Sequence, residues 1–262
     1  RLFASGAATI GRTRLDGHVW LKLTCIDPTR SVSDLVHPLD LVVTDTEAIE
    51  ALQYWIDLTK QGVQGWRMVR SDAALTFFNM EDPVVGGYTP EKVALRRAIG
   101  LAIDIDQEIR LFWRGQAIPA QSGVAPNTVG YDATFVSAEA KHDLSQARSL
   151  LDLYGYVDRD GDGWREQPDG SPLVLEWATT PDQRSRQRDE LRRKDMNAIG
   201  IRVNFNPAQW PENLKKARAG NLMIWNVGAA AASPDGQSAF DRGATSHKGG
   251  QNLARFSNKQ FD

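Results

Sequence analysis

Asp158, Asp160, Asp162, Glu166 and Asp169 occupy the first, third, fifth, ninth and twelfth positions of one short stretch, with Gly161 and Gly163 between the opening acids. Carboxylate oxygens at alternate positions can wrap one hard cation, and this is the spacing of a calcium loop. Two features depart from that pattern. The twelfth position is Asp rather than Glu, and Gly170-Ser171-Pro172 leads into a strand where a calcium-binding hand would start its exiting helix. A cation loop and a polar turn both stay open on spacing alone. Other chemistry is poorly supplied. His18, His37, His142 and His247 lie far apart, without the close spacing of a zinc site. Cys25 is the only cysteine, which excludes an intramolecular disulfide and an all-cysteine metal site. The chain contains no Gly-x-Ser-x-Gly elbow, phosphate loop or dinucleotide fingerprint. The basic residues between Arg184 and Lys194 alternate with Asp189 and Glu190, with Asp195 following, so they read as a solvated helix face rather than a phosphate-binding stripe. A net charge of −2 gives no electrostatic footprint for nucleic acid or an anionic membrane.

The elements that would position any site come from a chain of 262 residues, 41% apolar and 24% charged, enough for one large domain or two modest ones. No apolar run approaches the ~20 residues that span a bilayer. The opening Arg1-Leu2-Phe3-Ala4-Ser5-Gly6 is too short and polar for an intact secretory signal, which leaves export open. Residues 18–23 and 39–43 have strand character, with Asp27-Pro28-Thr29-Arg30 as a turn between them. Thr44 and Glu47 form a capping box ahead of Ile49, Leu52, Ile56 and Leu58, a helix stopped by Gly62. Residues 66–69 and 73–79 read as short strands.

Thr89-Pro90 then opens a helix whose Leu95, Ala98, Ile99, Ala102 and Ile103 make one apolar face. Asp104 and Gln107 cap a second helix, expected to end at Gly115. Residues 116–135, with Pro119, Gly123, Pro126 and Gly130, form a long loop, and loops of that length tend to be functional. Asp143 and Gln146 open a helix carried by Leu144, Ala147, Leu151 and Tyr154 and closed by Gly155. Next come a strand at 173–179, a charged helix at 183–199 with a weak apolar face (Leu191, Met196, Ile199), and a strand at 201–205. A helix from Pro211 to Gly220 and a strand at 222–227 complete the pattern. This β-α-β-α-β order predicts an α/β lobe, a mixed sheet with helices packed on it.

Several pieces of this pattern, in this order, resemble one family. Phe78-Asn79-Met80, Leu95-Arg96-Arg97-Ala98-Ile99 and Ala102-Ile103-Asp104 are followed by Gly115, Ala117, Pro119, Pro126 and Gly130-Tyr131-Asp132. Then come Ala147, Leu150-Leu151, Gly155-Tyr156, Asp160-Gly161-Asp162-Gly163-Trp164-Arg165, Ile199-Gly200-Ile201-Arg202-Val203, Trp210 and Ala219-Gly220. Together they resemble the C-terminal lobe of the peptide, oligopeptide and nickel-binding extracytoplasmic solute receptors of ABC importers (solute-binding protein family 5). The resemblance implies the type II periplasmic binding fold, whose two lobes close on a solute by hinge motion and dock on a membrane permease. It implies a hairpin turn for the aspartate-rich stretch. It also implies an incomplete chain, with residues 66–262 as the ligand-binding lobe and residues 1–65 as part of the first lobe or divergent. The helix ending at Gly62 departs from it, looking more like one from sugar-type receptors.

On this resemblance the expected ligand-binding residues are Trp225, Asn226, Asp235, Gln251 and Asn252, on a strand end and the loops after it, where receptor clefts gather aromatic walls and directed polar groups. The loop 116–135 and the segment 228–252 are expected to border the solute. Peptide receptors of this family commonly place an aspartate after the strand that 222–227 resembles, to pair with the peptide's α-amino group. Here the stretch reads Gly228-Ala229-Ala230-Ala231-Ala232-Ser233-Pro234-Asp235, with alanine at the aspartate's place and Asp235 as a shifted substitute. The implied protein is a monomer in the periplasm or on a lipid anchor. It takes a peptide or peptide-like solute and an ABC permease as partners, with no catalysis, cofactor, metal or nucleic acid. The competing classes are a hydrolase on an unrecognised α/β fold and a calcium-stabilised interaction module.

Overall fold

The computed structural model describes the strands β1 (Ala8–Leu15) and β2 (His18–Cys25) and residues 69–137, 140–231 and 233–262. The expected strand at 39–43 and helix at 44–62 lie outside the described residues. The chain divides into two compact units, Arg1–Met68 with Ile109–Ile118, and Val69–Glu108 with Pro119–Asp262. In the first, β1 and β2 pair antiparallel, with Leu15 opposite His18 and Ala8 opposite Cys25. The expected strand at 18–23 falls inside β2, whereas β1 was not anticipated. The sequence between them is Asp16-Gly17, a dipeptide that two-residue hairpins favour.

The second unit is built on a four-stranded sheet in the order β3 (Asp72–Phe78), β6 (Ile224–Ala230), β4 (Val174–Thr179), β5 (Arg202–Pro207). β3 and β6 are antiparallel, while β4 runs parallel to both β6 and β5. This is the mixed sheet with packed helices that the pattern predicts. The apolar face of α1 (Pro90–Ala102) is buried through Leu95, Ala98, Ile99 and Ala102. It packs on α3 (Leu144–Leu153) and α4 (Gln183–Ala198). Beneath them Leu175, Trp177 and Ile224 come from the strands, Ile201 from just before β5 and Tyr156 from the turn after α3, all with essentially no exposure. A smaller cluster joins Trp225 and Ala178 to Ala217 of α5 (Trp210–Arg218), with Phe77, Leu214 and Leu253 packed against it.

The helix ends follow their caps with two differences. Asp143 accepts from the Gln146 N–H and Asp104 from the Gln107 N–H at 2.8 Å, as predicted. Thr89, expected to cap α1, makes no side-chain capping bond, and its hydroxyl serves Glu91 instead. The helix after Asp104, α2 (Ile105–Leu111), stops short of Gly115. Arg114 and Gly115 both turn left-handed, at φ 52° and 70°, and the Gly115 N–H bonds the Ile109 carbonyl.

The larger difference is on α4. Its charged run is not a wholly solvated face, because Asp189, Arg192 and Asp195 are buried. Arg192 pairs with Glu108 of α2 and reaches Asp195 at 3.4 Å, while Asp189 accepts from the Thr179 hydroxyl at 2.8 Å. Where the apolar stripe is weak, the stem of an arginine fills space and its head meets carboxylates from two helices. Burial pushes the Asp195 carboxyl up, against the pull of Arg192, and burial does the same to Asp189 against the Thr179 bond. Both carboxyls therefore weaken the folded state as the pH rises through their range. The pairs align helices more than they stabilise them.

Asp182 at the start of α4 acts in the opposite sense. It accepts from Thr180 Oγ1 at 2.6 Å and from Ser185 N and Oγ at 2.9 and 2.8 Å. Against an upward push from burial, these bonds bring its carboxyl down to about 2. Its contribution is complete above the ordinary aspartate value of ~3.9 and is lost as pH falls through the folded value. The Asp182→Ala variant is expected to lose about 1 kcal/mol in urea unfolding at pH 7, with the gap to the native protein narrowing steadily below about pH 4. A gap independent of pH would show that the cap is not ionic.

Candidate ligand-binding site

The end of β3 and the start of β6 are tied together by amides. Asn226 lies opposite Thr76 and donates to its hydroxyl at 2.6 Å, while its carbonyl accepts from the Trp177 indole at 2.7 Å. One side chain thus links β3, β6 and β4. Buried Asn79 continues the clamp, donating to the Gly220 carbonyl at 2.8 Å and accepting from the Glu81 N–H at 3.0 Å. The Met80 N–H bonds the Ala254 carbonyl, so the chain leaving β3 is sewn to the last described segment.

The two segments expected to border a solute do meet. Val129 in the loop donates to the Pro234 carbonyl at 2.8 Å. Gly236 lies so close that an added Cβ would sit 2.4 Å from the Val129 oxygen, which leaves room only for glycine. Beside this junction lies a cavity of about 520 Å³. Thr76 and Phe78 of β3, Val124 of the loop, Phe240 of α6 (Gln237–Asp241) and the later Phe256 and Phe261 form its walls. The Phe256 ring meets Phe261 edge-on at 5.7 Å and Tyr88 at 5.9 Å. Among the described residues, the charged groups lining the cavity are Arg96 and Arg242, without any carboxylate. Arg96 is committed to the carbonyls of Val85 and Gly87, at 2.6 and 2.9 Å. Burial pushes both guanidinium groups down, in Arg242 against the attraction of Asp241.

The five residues singled out in the sequence fall into different settings. Trp225 is 3% exposed and packs on Phe77 and Trp210, with ring centres 6.2 and 6.3 Å away. Asn226 holds the three-strand link and touches the cavity wall through Thr76. Asp235 is exposed and accepts from the Gln237 N–H at 2.9 Å, forming the turn into α6. Gln251 is exposed. Asn252 is fully buried, and its amide holds the Ala244 and Phe256 carbonyls at 2.9 and 2.8 Å. It thereby shapes the segment that carries Phe256. Arg242 and the phenylalanines of the wall were not singled out. Phe240-Asp241-Arg242 has no distinctive spacing, and only the tertiary pairing of its segment with the 116–135 loop brings it to a cavity.

The acids of the 158–169 stretch are exposed or half-buried, and Asp158, Asp160, Asp162 and Glu166 lie within 4.8 Å of one another. Asp158 accepts from the N–H groups of Gly161 and Gly163, Asp162 from Trp164, and Glu166 from Arg159. Asp169 stands apart, bonded to Ser171 in the hairpin that pairs Glu166 with Pro172. Arg165, next in the chain, bonds the Gly200 and Ile199 carbonyls and so fastens the loop to the end of α4. The acids accept backbone N–H bonds within the turn, Asp162 also pairs with Arg202 at 3.2 Å, and the four carboxylates are close enough together to hold one cation.

A mixed sheet with an antiparallel first strand and helices packed on it is the α/β architecture of a periplasmic-binding-protein-like lobe. The chain belongs to the bacterial extracellular solute-binding proteins, family 5, whose middle-region family model matches residues 43–251. That match takes in the 44–62 segment set apart above. The chain is 29% identical to di/tripeptide-binding protein 2 of Pseudomonas aeruginosa over 172 residues, which are 64% of this chain and 30% of that protein. It is 25% identical to heme-binding protein A of Haemophilus influenzae over 174 residues, 66% of this chain and 30% of that protein. The oligopeptide-binding protein AppA from Bacillus subtilis, solved in complex with a nonapeptide, shares the fold with a TM-score of 0.65 at 16% identity, over 84% of this chain and 45% of that one. The chain thus spans about 30% of the length of these curated relatives.

The turn has a direct test. With its acids capping backbone N–H groups, millimolar calcium is expected to move the melting temperature by less than about 1 °C relative to chelator. A larger, saturable rise would show that the acids exchange those bonds for a cation.

Proposed function

We propose that the whole protein is the substrate-binding component of an ABC importer. It captures a peptide or peptide-like solute outside the cytoplasmic membrane, free in the periplasm or on a lipid anchor, and delivers it as a monomer to the permease. No bond is made or broken. Work comes from the solute's higher affinity for the closed form, which shifts the population of open and closed states. The observation that carries this reading is the cavity beside the β3–β6 pair, together with membership of the family. Two further facts support it. Di/tripeptide-binding protein 2 bears the name of a peptide binder. The described cavity lining is largely apolar and aromatic with two arginines, the concave setting a bound solute needs. Among the described residues no helix is long and apolar enough to cross a membrane. Trp225 and Asn226 are proposed to shape the site from beneath, with Asp235, Gln251 and Asn252 setting the loops around it.

The test is native mass spectrometry of the intact protein, purified gently from the periplasm. A reproducible added mass that disappears on denaturation is expected, with a rise in melting temperature when the stripped protein meets its solute again. No retained mass, no thermal shift across a peptide panel, and turnover of generic esters or peptides would together replace this reading with the hydrolase.

A further inference from the structure

The charge around the cavity bears on which end of a solute it takes. A solute with a free ammonium group, desolvated inside it, needs a carboxylate partner. Among the described residues the lining contains none. The acids that neighbour it are engaged: Glu81 by Lys248 at 3.0 Å and by Arg255, Asp241 by Gln237 at 3.2 Å while also attracting Arg242, Asp235 by the Gln237 N–H, and Asp262 by the Thr245 N–H and hydroxyl at 2.8 and 2.6 Å. Arg242 differs from the other cations nearby. Arg96 and Arg255 have carbonyl or carboxylate partners, whereas the half-buried Arg242 has no hydrogen bond or salt bridge among the described residues. A guanidinium presents a planar fork of donors suited to a carboxylate. The aromatic and aliphatic wall around it, with Phe78, Val124, Phe240 and Phe256, suits an apolar arm.

Resting on the receptor reading above, we propose that the cavity selects solutes carrying a carboxylate next to an apolar or aromatic arm, with Arg242 as the anion-binding residue, and does not recognise a free α-amino group. For a peptide this means that the carboxyl end enters the cavity. An N-blocked peptide or an amine-free aromatic acid would serve as well.

Calorimetry on the intact, stripped protein separates the possibilities with four probes: the tripeptide Ala-Ala-Phe, its C-terminal amide, its N-acetyl derivative, and 3-phenylpropanoate. The amide is expected to bind at least about tenfold more weakly than the free acid, the loss of one charge-assisted bond, and N-acetylation to change affinity less than about threefold. In the Arg242→Gln variant acid and amide should bind alike, and Arg242→Lys should restore part of the difference. The proposal is overturned if the amide matches the acid in the native protein, if acetylation is the change that abolishes binding, or if Arg242→Gln keeps the preference. The acid–amide comparison needs no variant, so it decides the matter even if Arg242→Gln fails to fold. Binding of 3-phenylpropanoate without any peptide, lost in Arg242→Gln, would sink the peptide reading and leave the anion site standing. Binding of none of the four would overturn both.

Discussion

The insertion of β6 between β3 and β4 is the pairing on which the rest of the second unit depends. β6 is the last strand of the sheet in sequence, yet it lies next to the first, with Phe77 opposite Trp225 and Phe78 opposite Ile224. Thr76 and Asn226, 150 residues apart, are joined by one hydrogen bond. Without β6, the core side chains Trp177 and Ile224 would not share one layer beneath α1, and the loops at the end of β3 would have nothing to close on. Closing so long a loop costs entropy before any contact repays it, so this pairing belongs late in folding. Its half-buried amide also fixes register, since a slip of one residue would turn Asn226 away from both Thr76 and Trp177.

The cavity follows from the same constraint. β3 leads through Asn79 and Met80 towards α1, while β6 leads through the alanine run towards Asp235 and α6. Because β6 runs antiparallel to β3, it ends beside the start of β3; the segment after it meets the 116–135 loop through Val129, and Val124 of that loop shares the cavity wall with Thr76 and Phe78. Asn252 then folds the final described segment back so that Phe256 and Phe261 close the wall. Each polar residue in this scaffold is satisfied by backbone or by another strand. Arg242 is left to face the cavity.

Much of the lobe was legible in the chain. The α1 face of Leu95, Ala98, Ile99 and Ala102 buries as its spacing requires, and Asp143 caps α3 as its position requires. Strand limits moved by a residue or two, most at β6, which runs on to Ala230 because the small alanines can still pair with Asp72 and Ala73. The buried charges of α4 were not legible, because a periodicity that looks solvated becomes buried when its partner, Glu108, arrives from another helix. β1 was missed although Asp16-Gly17 marked the hairpin. Of the candidate site, the meeting of two segments was the legible part: loop length marked 116–135, and the family resemblance marked 228–252. The aspartate stretch satisfied a ligand spacing and a turn spacing, and its folded form is compatible with both, since its carboxylates accept backbone N–H groups and still lie close enough for one cation. Arg242 carried no sequence mark, since what distinguishes it is that no described residue hydrogen-bonds its guanidinium.

The account stands or falls on whether the cavity beside the β3–β6 pair is where solute sits. Hydrogen–deuterium exchange of the intact protein, before and after its co-purified solute is stripped, addresses this directly. Slower exchange with solute bound is expected across residues 119–135 and 233–256, with α3 and β5 unchanged. Protection confined to other segments, with those two exchanging alike in both states, would contradict the placement of the site.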